Sequence, residues 1–181
     1  MTELLSEIIS ANQKFVQNKQ WQEFFPVDGK PQRKAAVLTC MDTRLAGFIL
    51  PALGLKRGDA KVIKTAGNSL LDNTQDPVIF SLVAAVFEMG IEEILVVGHD
   101  DCGIAKLKTE ELCGKMQSRG IAPDAVKGIE DKLRAWLGHF KTIEDNVKWV
   151  CRQIQTSPLL PKTIQVHGLV MNPQTGQVRV V

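Results

Sequence analysis

Apolar residues recur along this chain with two alternating periods. Leu4, Leu5, Ile8, Ile9, Phe15 and Val16 fall at helical spacing, which predicts an amphipathic helix over residues 2–18. Residues 19–34, with Trp21, Phe24, Phe25, Pro26, Gly29 and Pro31, read as a connector. Residues 35–39 form a short apolar run ending at Cys40, the pattern of a buried strand. Residues 45–53 read as a short helix broken at Gly54, despite Pro51. A second strand is expected at 60–65, followed by a turn at Gly67-Asn68-Ser69. Residues 77–89 carry a strong helix signature, with Pro77 in the first turn and Gly90 just past the end. Residues 94–97 are a third strand leading into Gly98-His99.

The stretch 103–141 is polar and helix-prone but punctuated by Gly114, Gly120, Pro123, Gly128 and Gly138, which suggests two or three short helices. Thr142 reads as the N-cap of another helix, with Glu144 and Asp145 in its first turn and Pro158 beyond its end. A fourth strand is expected at 163–166. A turn at 172–176 then leads to a final antiparallel strand at 177–181.

Strands alternating with helices predict an α/β fold. The expected sheet is mostly parallel, with about four strands plus an antiparallel edge strand and helices on both faces. The length of 181 residues suits one domain, 1–181, in which 1–34 form an N-terminal helix and connector arm. Ligands in such sheets bind beyond the carboxyl ends of the strands, where the strand order reverses. Cys40 ends the first strand, and His99 and Cys102 follow the third. If those strands are neighbours, all three residues meet in that crevice.

Composition narrows the function. A net charge of +2, with both signs interspersed, gives no basic surface for nucleic acid or membrane. No apolar run approaches the roughly 18 residues that span a bilayer. The N-terminus is acidic and amphipathic, unlike a signal peptide, so a cytoplasmic location is expected. There the four cysteines, Cys40, Cys102, Cys113 and Cys151, would be reduced.

Two thiolates and an imidazole, from Cys40, His99 and Cys102, form a set suited to Zn2+ rather than to calcium or magnesium. Three protein ligands leave one position open, as in catalytic rather than structural zinc sites. Asp42 and Arg44 flank the first thiolate. Asp42 could accept a hydrogen bond from water in the open position, with Arg44 holding it by a charge-assisted pair. Alternatively, Asp42 could bind the metal and close the site. A third reading makes Asp42 a helix cap and Arg44 a solvated charge. Of Asp100 and Asp101, one is expected to N-cap a following helix. Gly98 and Gly103 read as positions of close backbone approach, and Gly67-Asn68 could bring N–H groups near the site. Cys113 and Cys151 read as structural, His167 as a satisfied core histidine and His139 as a surface residue.

The motifs Cys40-x-Asp42-x-Arg44 and His99-x-x-Cys102-Gly103 resemble those of the β-class carbonic anhydrases, in particular a compact archaeal and bacterial branch. The resemblance runs through residues 57–63, Ala66-Gly67-Asn68 and 157–159 to Val166-His167-Gly168, nearly the whole chain. It implies a zinc lyase with one Zn2+ per subunit, held by Cys40, His99 and Cys102 with water or Asp42 fourth. Asp42 and Arg44 would be the dyad beside the metal. Zinc-bound hydroxide would convert CO2 to bicarbonate and a proton, reversibly. It also implies a homodimer or higher homo-oligomer, with the N-terminal helix packing on a partner subunit. Two departures stand out. Val37 occupies the position of a Trp that forms a second, inhibitory bicarbonate site in some bacterial members, and the chain has no Tyr for the pocket Tyr of plant-like members. Gln32 is not assigned to the site. Two other functions compete: hydrolysis of carbonyl sulfide or carbon disulfide on the same ligands, and a non-catalytic zinc or bicarbonate-sensing module.

Overall fold

In a computed structural model that describes residues 2–24 and 26–181, the N-terminal periodicity becomes helix α1, Glu3–Gln17, capped by Thr2. None of its residues is buried. A 3₁₀ turn at Gln20–Glu23 follows within the predicted connector, of which Phe25 lies outside the described residues. Strand β1, Ala35–Cys40, is buried along its full length, as expected of a strand covered on both faces.

Residues 45–53 do not form one helix. A 3₁₀ turn at Thr43–Leu45 is separated from a single turn of helix α2, Ile49–Ala52, by the extended backbone of Ala46 (φ −67°, ψ 121°). Pro51 is accommodated because the N–H groups of a first turn have no intrahelical acceptor. Strand β2 is Ala60–Thr65, and helix α3 is Pro77–Met89. The α3 cap, Asp76, is buried; it accepts from Val78 N and Leu71 N. Strand β3 is Glu93–His99.

The punctuated region holds α4, Thr109–Ser118, and the 15-residue α5, Pro123–Leu137. Gly114 and Gly128 lie inside these helices rather than ending them. An interior glycine costs only about 1 kcal/mol relative to alanine. Helix α6, Ile143–Thr156, starts as predicted at Thr142, whose hydroxyl accepts from Asp145 N at 3.0 Å. Strand β4, Gln165–Met171, runs five residues past the expected 163–166, and β5 is Val178–Val180.

The five strands lie in the order β2-β1-β3-β4-β5. All neighbours are parallel except the antiparallel β4–β5 pair. The order reverses between β1 and β3, so the crevice opens between Cys40 and His99. One face, through Ala36, Leu38, Ile94, Val96 and Val170, packs on α3 and α6. The other face, through Val37, Val97 and Met171, meets buried Leu45 and Ile49 and half-buried Phe48, Leu50 and Leu53 from the segment after β1, with Ile104 from the loop after β3. His167 lies on this second face, opposite Leu95, but outside its buried cluster. It is therefore not a core residue: its side chain is 46% exposed and stands 3.4 Å from Glu93. His139 is only half-buried, stacked on Trp149 with ring centroids 3.7 Å apart. No helix among the described residues is long and apolar enough to cross a membrane.

Candidate metal centre

The parallel register sets Cys40 and His99 at the carboxyl ends of adjacent strands. The chain then turns at Asp101, whose backbone is left-handed (φ 57°), and returns Cys102 to the same crevice. The sulfurs of Cys40 and Cys102 lie 3.9 Å apart. All three donor atoms fall within 4.8 Å of one another, and all three residues are buried. A tetrahedral zinc with bonds of about 2.3 Å to sulfur needs two sulfurs roughly 3.8 Å apart. The pair fits that requirement as it stands.

His99 supplies a second test of fit. Its Nδ1 is 2.8 Å from the Asp100 carbonyl, an acceptor that fixes the proton on Nδ1. Nε2 is buried and has no hydrogen-bond partner among the described residues. A buried nitrogen lone pair without a donor is costly unless something electrophilic meets it. Zinc would satisfy it.

The thiols differ from each other. Hydrogen bonding from Cys102 holds Cys40 down at about 4, against the opposing effect of burial. Gly67 N–H also points at this sulfur, 3.3 Å away. The Cys40 contact and burial together hold Cys102 well above the ordinary thiol range. Gly67 can approach so closely because its backbone is left-handed (φ 67°) and it has no Cβ; an added one would lie 2.5 Å from the Phe140 ring. Gly98 serves a different approach. A Cβ there would meet Val147 at 2.7 Å, so its absence lets α6 lie on β3 beside the ligand loop. Gly103 has no such neighbour, so close approach is not what that position requires.

Asp42 stands at the rim. Its Oδ1 accepts from Arg44 N at 2.9 Å and Arg44 Nε at 3.0 Å, and Oδ2 accepts from Arg44 Nη2 at 2.8 Å. It thus caps the 3₁₀ turn and pairs with Arg44 at once, so the two sequence readings are not exclusive. Hydrogen bonding from Arg44 holds its carboxyl down at about 2. Oδ2 is also 3.7 Å from His99 Nε2. Arg44 is itself fixed by Asp101, through Nη2 to the carbonyl at 3.0 Å and Nη1 to the carboxylate at 3.4 Å. A cavity of about 400 Å³ opens here, lined by Cys40, Asp42, Arg44, Cys102 and Ile104 among others.

Neither Asp100 nor Asp101 caps a helix. Asp100 pairs with Arg179 on β5, and Asp101 pairs with Lys106 and Arg44. Asn146 was not anticipated: buried on α6, it donates to the Gly67 carbonyl at 3.0 Å. Cys113 is buried apart from the cluster, and burial pushes the Cys151 thiol up to about 11.

The carbonic anhydrase family model matches residues 35–178. The protein YvdA of Bacillus subtilis (strain 168) is 36% identical over 180 residues, covering 98% of this chain and 90% of its own. The crystal structure of β-carbonic anhydrase isoform I from Trichomonas vaginalis has a TM-score of 0.92 at 38% identity, covering 99% of this chain and 97% of that one. A carbon disulfide hydrolase of Acidianus sp. (strain A1-3) is 30% identical over 172 residues, covering 84% of this chain and 80% of its own.

Proposed function

Because the chain belongs to the β-class carbonic anhydrase family, we propose that it hydrates CO2 reversibly to bicarbonate and a proton at the Cys40–His99–Cys102 centre. The observation that carries this reading is the Asp42 carboxylate, gripped by Arg44 and standing 3.7 Å from His99 Nε2. A structural zinc site needs no such pair, which weighs against a non-catalytic zinc module.

Cys40, His99 and Cys102 would hold one Zn2+ per subunit, and the bound ion supplies a Lewis acid that acidifies water in its fourth position. The chain's own residues do the rest. Arg44 occupies both oxygens of Asp42, which keeps the carboxylate at the rim and would leave the metal's fourth position to water. Asp42 Oδ2, the oxygen nearer His99 Nε2, would accept a hydrogen bond from a water held at the metal and so turn that water's lone pair towards the cavity. Ile104 gives the cavity an apolar wall suited to CO2, a small nonpolar molecule. Asp42 stays ionised throughout the neutral range, so it orients the water rather than storing the departing proton, which passes to buffer.

The test is stopped-flow CO2 hydration with the zinc-loaded protein at alkaline pH. A rate no faster than buffer overturns the reading. The likeness to a carbon disulfide hydrolase supports a second reading, hydrolysis of carbonyl sulfide or carbon disulfide at the same residues. Sulfide release from carbonyl sulfide, without CO2 hydration, would favour it.

The proposal extends to the assembly. Leu4, Leu5, Ile8, Ile9 and Val16 of α1 are all exposed, and the sheet face bearing His167 is only partly covered. Both surfaces suit a homodimer or higher homo-oligomer in which α1 packs on a partner subunit. Residues 1–181 then act as one zinc-binding domain with residues 1–34 as the arm. Reduced thiolate ligands suit a cytoplasmic enzyme.

A further inference from the structure

The C-terminal strand reaches the metal centre through one side chain. Arg179 on β5 lies opposite Val170 of β4, which in turn lies opposite Gly98 of β3. These three positions share the sheet face covered by α6. Arg179 reaches along that face to the residue that follows the His99 ligand. Its Nη1 and Nη2 grip both oxygens of Asp100, at 3.0 and 2.7 Å. Its Nε and Nη2 also bond Glu144, in the first turn of α6, at 3.2 and 2.5 Å.

We propose that Arg179 is a positioning residue for the metal centre, holding both the Asp100 peptide that orients His99 and the start of the helix that supports Cys40. Two chains of contact lead inward from it. Along the first, the Asp100 carbonyl accepts the Nδ1 proton of His99, so the placement of Asp100 sets the aim of Nε2. The Asp100 N–H is anchored separately on the Met171 carbonyl at 2.9 Å. With its N–H and its side chain both held, Asp100 is anchored on the sheet and on β5, which restricts where its carbonyl can stand. Along the second, Glu144 fixes the α6 start. Two residues on, Asn146 bonds the Gly67 carbonyl, and Gly67 N–H meets Cys40 Sγ. Partners that orient metal ligands in this way typically change metal affinity 10–100-fold when removed.

Arg179 is 46% exposed, and exposed ion pairs contribute little to global stability. That separates positioning from mere scaffolding. Arg134 provides a matched control: it is 52% exposed and also pairs with two carboxylates, Glu110 and Glu130, away from the metal centre.

The inference rests on Cys40, His99 and Cys102 holding zinc, and the experiment tests the two claims separately. Zinc-loaded wild type, Arg179→Gln, Arg179→Lys and Arg134→Gln are each mixed with a chromophoric chelator, and the zinc dissociation rate is followed alongside Tm. The expected result is roughly tenfold faster release from Arg179→Gln, partial recovery in Arg179→Lys, a wild-type rate in Arg134→Gln, and similar Tm in all four once the metal has been removed. Release from Arg179→Gln at the wild-type rate overturns the proposal, as does equal acceleration in Arg134→Gln. Should Arg179→Gln not fold, Glu144→Gln and Arg179→Lys decide by the same readout: faster release in both supports the proposal, and wild-type rates overturn it. A wild-type protein that retains no zinc overturns the underlying reading instead.

Discussion

Arg44 and Asp42 are joined by three hydrogen bonds, two from the guanidinium and one from the Arg44 main chain. The main-chain bond is local and would form in many Asx turns. The guanidinium bonds engage both carboxylate oxygens and compete with any metal for Asp42. We propose that Arg44 thereby governs whether a bound metal's fourth position goes to water or to Asp42.

Replacing Asp42 separates the two roles. Asp42→Ala should keep near-stoichiometric zinc, because the three proposed ligands are untouched, and should lose CO2 hydration by about 10²-fold or more, the usual scale for a positioned proton acceptor. Metal analysis beside stopped-flow rates checks both halves. Loss of zinc would make Asp42 a ligand.

Arg44→Ala tests the competition. Arg44 holds the Asp42 carboxyl at about 2, so its removal returns that pKa towards 3.8. The carboxylate remains ionised at neutrality in both proteins, so a neutral-pH defect cannot come from its protonation. The expected defect arises from a freed carboxylate reaching the metal: activity falls most near neutrality and recovers partly at alkaline pH, where hydroxide competes better. A rate reduced by the same factor at every pH would reject this account.

Zinc uptake should release a proton from Cys102. Contact with Cys40, together with burial, holds the Cys102 thiol protonated well above neutrality, while Cys40 at about 4 is already a thiolate. A ligand must deprotonate to bind zinc, so affinity falls as pH falls, and binding near neutrality liberates protons from the thiol pair and from His99, whose pKa, against the effect of burial, is raised by the neighbouring Cys40. Calorimetry in buffers of different ionisation enthalpy measures their number. Cys102→Ser should reduce the release and weaken binding.

Gly67→Ala should damage stability and site together. The new Cβ would stand 2.5 Å from the Phe140 ring in a left-handed backbone. Overpacking costs about 1–3 kcal/mol, and a left-handed conformation adds about 1–2 kcal/mol for a residue with a Cβ. Chemical denaturation of Gly67→Ala, of Phe140→Ala and of the double variant, with the double variant referred to Phe140→Ala, separates the two costs. The double variant should recover the steric part only.

Much of the fold could be read from local pattern. The run 35–39, the Pro77 and Gly90 boundaries of α3, and the Thr142 cap of α6 each rest on neighbours a few residues apart. The meeting of Cys40 with His99 followed from strand order alone. What escaped depends on distant contacts. Arg179 and Asp100 are separated by 79 positions, and nothing local marks either as a partner of the other. His167 looked like a core residue because its strand is apolar, yet it stands outside the buried cluster on its face. Asn146 sits on an amphipathic helix at a position that pattern alone marks only as inward-facing.

The exposed stripe of α1 makes the last prediction. A 15-residue helix is marginal in water on its own. None of the α1 residues is buried, and its ring contact among the described residues, Phe15 with Phe24 at 6.1 Å, is local. We therefore propose that a partner subunit supports the helix, through the exposed apolar side chains of Leu4, Ile8 and Val16. Ile8→Glu places a charge in that stripe without touching the metal centre. Analytical ultracentrifugation should show a shift towards monomer, and circular dichroism should show a matching loss of helix, of the size of α1. Zinc content should stay unchanged, since every proposed ligand comes from residues 40–102. An unchanged mass with unchanged helicity would mean that α1 does not hold the assembly together.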